Sequence, residues 1–169
     1  MQLDLDLLDL IYRQYYKNVF NYICFRISNH FDAEELAAAV FEKAIARWGS
    51  YNTDFPIEGW LIAIAKNTVS DYLRTKRRRS FVPLDGVVRF VSPGRSPDEI
   101  AVVNETNRAL IAAMSQMKDR ERQILSMKFA TNLKHREIAQ ILGISESNVG
   151  AIVHRALKKL RKILEDDRI

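Results

Sequence analysis

Apolar residues recur at three- and four-residue steps along most of this chain, while the two-residue alternation of half-buried strands is nearly absent. That pattern predicts an all-α fold. A first amphipathic helix is expected from about Leu5 to Ile27, with Leu8, Ile11, Tyr15, Val19, Tyr22 and Ile23 along one face. A second is expected to start near Asp32, a plausible N-cap with Glu34 and Glu35 in the first turn, and to run to about Trp48. Gly49 and the polar residues Ser50, Tyr51, Asn52, Thr53 and Asp54 read as a loop. Pro56 suits the first turn of a third helix, whose stripe is Trp60, Leu61, Ile64, Val69, Tyr72 and Leu73.

The pattern breaks over 81–104. Three of the four prolines (Pro83, Pro93, Pro97) and two of the six glycines (Gly86, Gly94) fall there, as in a linker or extended segment. Its 24 residues reach on the order of 80 Å when stretched, so the flanking domains are free to sit well apart. Val87, Val88, Phe90 and Val91 within it suit either an added strand or, more readily, an apolar patch that docks on a neighbour. Helical periodicity resumes with one helix over about 99–117, turning Leu110, Ile111, Met114 and Met117 inward. Another follows Asp119 and carries Ile124, Leu125, Met127 and Phe129. The expected organisation is two small helical domains, 1–80 and 105–169, joined by the extended linker 81–104.

Residues His135 to His154 fit a helix-turn-helix position by position. Ile138, Leu142, Ile144, Val149 and Ile152 are apolar where two helices must hold together, and Ala139 is small where they cross. Gly143 sits at the turn, where a positive φ is met cheaply only by glycine. Ser145 then caps the second helix, with Glu146 in its first turn. That helix is expected to present Ser147, Asn148, Ala151, His154 and Arg155 to a major groove, with Lys158, Lys159, Arg161 and Lys162 reaching phosphates.

Charge and composition narrow the function. The net charge of +5 is concentrated in two clusters, Arg74 with Lys76–Arg79 and Arg155 with Lys158, Lys159, Arg161 and Lys162. Lys and Arg near a helix C-terminus also complement its dipole, but two separated clusters favour a polyanion. The apolar stretches are too short for a membrane span. The acidic start MQLDLDLLDL does not read as a secretory signal. One cysteine, Cys24, makes no internal disulfide and fits a reducing cytoplasm. One Cys and three scattered His give no metal-ligand spacing, and no phosphate-binding glycine loop or nucleophile elbow is present. No cofactor, metal or small-molecule substrate is expected, and an enzyme is not.

The chain resembles a bacterial RNA polymerase sigma factor of the small, two-domain extracytoplasmic-function (ECF) group. The first half carries Asp32-Ala33-Glu34-Glu35-Leu36, Phe41, Ala44 and Trp48, then Trp60-Leu61, Ile64-Ala65, Asn67, Asp71, Leu73-Arg74 and Lys76–Arg79. The second carries Glu121-Arg122, Glu137-Ile138-Ala139, Leu142-Gly143-Ile144-Ser145-Glu146, Val149 and His154-Arg155-Ala156. The resemblance implies a dissociable, non-catalytic specificity subunit that binds core RNA polymerase, recognises and melts promoter DNA and directs transcription initiation. It implies a cytoplasmic protein, nucleoid-associated in the holoenzyme, with an anti-sigma factor as a further candidate partner.

On this resemblance, Asp32, Glu34, Glu35, Ala38, Ala39 and Glu42 meet the polymerase. Tyr51, Asn52, Thr53, Asp54, Lys66, Asn67, Ser70, Arg74, Arg77 and Arg78 meet the minus-ten element. Lys134, Ser147, Asn148, Ala151, His154, Arg155 and Lys158 meet the minus-thirty-five element. Holding an unstacked base needs aromatic stacking and hydrogen bonds to its edge, which the loop offers. Lys66, Asn67, Ser70 and Arg74 share a helix face by their spacing. Trp60 reads as core packing, Tyr51 suits either packing or stacking, and Cys24 and His30 read as structural or surface residues.

Two departures stand out. Ala37-Ala38-Ala39 replace the polar residues usual on the docking surface, which removes hydrogen-bonding partners there. Gly150, Ala151 and Ile152 stand where Lys or Arg, Ser, and Arg are typical. Base readout then rests on Asn148, His154 and Arg155, with Ala151 against a thymine methyl. The alternatives are a helix-turn-helix regulator with a sensing first domain, or a degenerate sigma-like protein that does not initiate transcription.

Overall fold

The computed structural model describes residues 2–80 and 105–168; the expected linker, with Val87–Val91 and residues 99–104, lies outside the described residues. Among the described residues there are seven α-helices, one 3-10 turn and no strand. They are α1 (Leu5–Ile27), α2 (His30–Ala46), the 3-10 turn Trp48–Ser50, α3 (Ile57–Ser80), α4 (Glu105–Ser115), α5 (Asp119–Ala130), α6 (His135–Leu142) and α7 (Glu146–Asp166).

Local chemistry sets the boundaries. Asp4 caps α1 by accepting the Leu7 N–H at 2.8 Å. The helix closes at Ser28, whose φ of 59° is left-handed and whose N–H returns to the Cys24 carbonyl. This reversal decides where α2 begins. The cap is Asn29, whose side chain accepts from the Asp32 N–H at 3.1 Å, and not Asp32 as expected. Asp32 lies inside the first turn, with its carboxylate released for a contact elsewhere. At the other end α2 stops at Ala46, and Trp48 opens the 3-10 turn. Pro56 sits just before α3, its carbonyl accepting from the Trp60 N–H, so it flanks the first turn.

In the first half, α1, α2 and α3 bury Val19, Tyr22, Ile23, Val40, Leu61, Ile62 and Val69 between them. Complete burial of such side chains stabilises by about 1.5–3 kcal/mol each. In the second half, α7 lays Val149, Val153, Ala156 and Leu160 along α4, α5 and α6, where Met114, Leu125 and Ile138 are also buried. Phe129 is the exception to its helix's expected stripe, at 41% exposure.

The two halves do not sit apart. The first-half core continues without a break into Ile124, Met127, Ala130, Leu133 and Ile138, and α1 lies along α5. Apolar area on both elements makes this packing favourable, which the length of the connecting chain alone did not reveal.

Candidate functional site

The helix-turn-helix forms as its residues dictate. Lys134 donates its backbone N–H to Glu137 Oε2 at 2.8 Å, fixing the start of α6. Gly143 adopts φ 66°, and the Ile144 N–H returns to the Ala139 carbonyl at 3.1 Å. Ser145 Oγ accepts the Asn148 N–H at 3.1 Å and opens α7. Of the five expected packing positions, Ile138 and Val149 are buried and Leu142, Ile144 and Ile152 half-buried. Ser147, Asn148, Ala151, His154, Arg155 and Lys158 are all exposed, and so is Lys134. Their spacing along α7 places them on one helix face. Gly150 is turned elsewhere: a Cβ there would lie 3.6 Å from His135 Nδ1 at the start of α6. The basic tail is divided in its duties. Lys159 is half-buried and pairs with Glu121 Oε2 at 3.0 Å, so it fastens α7 to α5 and does not extend freely toward phosphates as expected.

The loop before α3 is built on three aromatic rings. Trp48, Tyr51 and Trp60 meet at centroid separations of 5.4, 5.9 and 5.0 Å. All three are half-buried, and Trp48 and Trp60 also rest on the core. The Tyr51 hydroxyl donates to the Phe55 carbonyl at 2.7 Å, and burial raises its pKa above the usual phenol value. Its hydroxyl is thus engaged within the loop. Phe55 lies over the first turn of α3 because residue 59 has no side chain; a Cβ on Gly59 would come within 2.4 Å of the Phe55 ring. The tip Asn52, Thr53 and Asp54 is exposed, with Asn52 Oδ1 accepting the Asp54 N–H at 3.0 Å.

Along α3, Asn67, Ser70, Arg74, Arg77 and Arg78 are exposed and Lys66 half-buried. Arg74 pairs with Asp71 at 2.5 Å. Lys76 lies 5.7 Å from the centre of the Tyr72 ring, within cation–π range.

Five of the six expected polymerase contacts line two grooves, one on each flank of α2. Ala38 and Glu42 line an apolar groove of about 390 Å³ with Leu5, Leu8, Asp9, Tyr12, Phe41 and Ile45. Asp32, Glu35 and Ala39 line a second, mixed-polarity groove of about 730 Å³ against Thr68, Asp71, Tyr72, Thr75, Lys76 and Arg79 of α3. Tyr72 donates its hydroxyl to Asp32. Burial first, and that bond second, hold its pKa far above the usual phenol value, so it remains a donor. Glu34 is exposed beside His30, 3.2 Å away. Ala37 belongs to the core, so only Ala38 and Ala39 of the alanine run touch the outer surface.

Sequence reasoning missed Arg26, Glu58, Asp119 and Arg122, which bridge the halves. Arg26 carried a signal: it follows Tyr22 and Ile23 by four and three residues, a basic residue on a buried stripe. Cys24 is chemically quiet, its thiol pushed up to about 12 mainly by burial. Among the described residues no cluster of His, Cys, Asp and Glu is placed to hold a metal ion. Nor is any described helix long and apolar enough to cross a membrane.

Comparison with known proteins places this geometry. Residues 11–79 match the family model "Sigma-70 region 2", and residues 107–160 match "Sigma-70, region 4". The ECF RNA polymerase sigma factor BldN of Streptomyces coelicolor is 28% identical over 160 residues, spanning 93% of this chain and 60% of that protein. The RNA polymerase sigma factor YlaC of Bacillus subtilis is 29% identical over 167 residues, 96% of this chain and 95% of YlaC. The ECF RNA polymerase sigma factor SigX of the same organism is 28% identical over 92% of this chain and 82% of its own. Among solved structures, the fold is similar to the sigma factor RpoE in complex with the anti-sigma factor NepR from Bartonella quintana. That likeness has a TM-score of 0.74 and 20% identity, over 93% of this chain and 96% of the other. It is similar also to CnrH in complex with the cytosolic domain of CnrY, with a TM-score of 0.70 and 18% identity over 97% and 91%.

Proposed function

The chain belongs to the sigma-70 family of RNA polymerase sigma factors, among relatives of the ECF group, and on that premise we propose how its surfaces divide the work of promoter recognition. It is a promoter-specificity subunit. The observation that carries this reading is the ordered pair of region 2 and region 4 matches in one chain, and the exposure of the α7 face in the second is in keeping with it. A plain helix-turn-helix regulator has no use for the first half, so that alternative is not favoured.

In the proposed division, residues 1–80 dock on core polymerase and engage the minus-ten element, 81–104 connect, and 105–169 read the minus-thirty-five element. Asp32, Glu34, Glu35, Ala38, Ala39 and Glu42 form the polymerase face. The groove lined by Ala38 and Glu42 is apolar with acidic neighbours, which suits an amphipathic helix with basic flanks. Duplex opening falls to the aromatic-backed loop. Asn52, Thr53 and Asp54 supply hydrogen-bonding groups for an unstacked base, and the half-buried ring of Tyr51 supplies an aromatic surface beside them. Lys66, Asn67, Ser70, Arg74, Arg77 and Arg78 follow the strand. In the second half Lys134 and Lys158 contact phosphates while Ser147, Asn148, Ala151, His154 and Arg155 meet base edges. The proposed protein is a dissociable, non-catalytic, cytoplasmic subunit. RpoE and CnrH, to which its fold is similar, were each solved with a protein bound, NepR and CnrY. An anti-sigma partner is therefore proposed for this chain also.

The polymerase face is tested by the two alanines that reach the surface. Ala38→Gln with Ala39→Glu adds hydrogen-bonding groups on both flanks of α2, and binding to core polymerase is measured by titration against labelled chain. The reading expects the double variant to bind several-fold tighter. Unchanged binding by a folded variant would mean that another surface docks.

A further inference from the structure

The first residue of α6 occupies a corner of the reading face that α7 leaves empty. Ile138 and Ala139 are the buried residues of α6, which packs on α7, and His135 precedes them by three and four residues. It therefore falls on the same inward face of the helix. The bond from the Lys134 N–H to Glu137 Oε2 fixes the start of α6, and with it the place of this side chain. Opposite lies Gly150. A Cβ there would stand 3.6 Å from His135 Nδ1, the only contact within 4 Å that another described element makes at this position. An alanine would touch the ring; a longer side chain would take its place.

Gly150 is one turn from Ser147 and one turn from His154 along α7, and both of those are exposed residues of the reading face. The imidazole thus fills the gap between them. His135 is half-buried, yet neither ring nitrogen makes a hydrogen bond or ion pair among the described residues. Polar groups withdrawn from water are normally paired, and a neutral imidazole carries one N–H donor and one acceptor. Phosphates call for charge, which Lys134 and Lys158 supply nearby; a ring in line with Ser147 and His154 stands among groups assigned to base edges. We propose that His135 is a specificity-determining residue: seated on Gly150, its imidazole donates an N–H to a purine N7 in the major groove of the minus-thirty-five element. One base is then read from α6 and not from α7. Adenine and guanine both present N7 as an acceptor, and pyrimidines have none. The contact selects purine over pyrimidine at one position without separating adenine from guanine. This inference rests on the sigma-factor reading above.

The test offers holoenzyme, made from the full chain and core polymerase, a library of duplexes of random sequence and counts those bound. Wild type is expected to prefer purine at one position of the upstream element by about two- to tenfold, the range of a single hydrogen bond. His135→Ala is expected to abolish that preference and leave the other positions unchanged. His135→Gln, which keeps an N–H donor, is expected to retain part of it, and it serves as the second variant should His135→Ala lose helicity by circular dichroism. Replacing the selected purine with its 7-deaza analogue, which lacks N7, is expected to weaken wild type by the same factor and to leave His135→Ala unaffected. An unchanged preference in His135→Ala overturns the inference. So does a loss spread evenly over all sequences, which would make His135 a backbone contact. Wild-type holoenzyme that selects no sequence at all would instead sink the sigma-factor reading and this inference with it.

Discussion

Two glycines of the helix-turn-helix should respond to the same substitution with opposite signs. Gly143 holds φ 66° with nothing within 4 Å of where a Cβ would stand, so space is free and only the backbone objects. Alanine in the left-handed region costs about 1–2 kcal/mol, and Gly143→Ala should lose about that much stability. Gly150 has ordinary helical backbone inside α7, and its Cβ would meet His135 Nδ1 at 3.6 Å, a normal contact. Glycine there costs about 1 kcal/mol relative to alanine, so Gly150→Ala should gain about that much. For a chain of this length each kcal/mol moves the melting temperature by roughly 2–4 °C. Thermal and urea denaturation of the two variants should therefore move apart by roughly 4–12 °C in melting temperature, with Gly143→Asn falling between Gly143→Ala and wild type. Equal signs for the two alanine variants would refute the reasoning, because it would mean that local backbone conformation does not control these sites.

Three further outcomes are expected. Arg77→Ala with Arg78→Ala, both exposed at the end of α3, should weaken open-complex formation and flatten its salt dependence by a slope of about 1–2; an unchanged slope would remove them from the DNA path. Arg155→Ala should alter discrimination at one or two promoter positions by about 1–3 kcal/mol, whereas a uniform loss over all sequences would make it a phosphate contact. Tyr22 is fully buried next to Arg26 and Gln123, its hydroxyl without a well-formed hydrogen bond, and burial pushes its pKa up to about 12. Its neutral form is the one the fold favours, so its contribution is complete below the ordinary phenol pKa near 10 and is lost as pH rises toward 12. Tyr22→Phe should cost under about 1 kcal/mol at neutral pH and remove part of the alkaline unfolding between pH 10 and 12; an unaltered alkaline transition in urea titrations would contradict the assignment.

Much of the fold was legible because the determining chemistry is local. The Leu5–Ile27 helix and the turn at Gly143 and Ser145 stand where the pattern put them, each fixed by caps within four residues. Asn29 displaced Asp32 as a cap because both side chains are competent and a left-handed Ser28 chose between them. What stayed hidden is long-range. An arginine on a buried stripe announces that a partner must exist, but not that Asp119, 93 residues on, supplies it. Likewise, the family resemblance set Ala37, Ala38 and Ala39 together on the docking surface, while helix rotation sends the first into the core and the other two to opposite flanks. Lys159 looked like one more tail cation until α5 brought Glu121 beside it.

The most direct measurement of the central claim is transcription from total genomic DNA of the source bacterium by core polymerase, with and without this chain, mapping every transcript start. The account predicts a new set of starts that appears only with the chain, preceded by a shared pair of sequence elements at minus ten and minus thirty-five. A folded chain that binds polymerase and yields no new starts would contradict it.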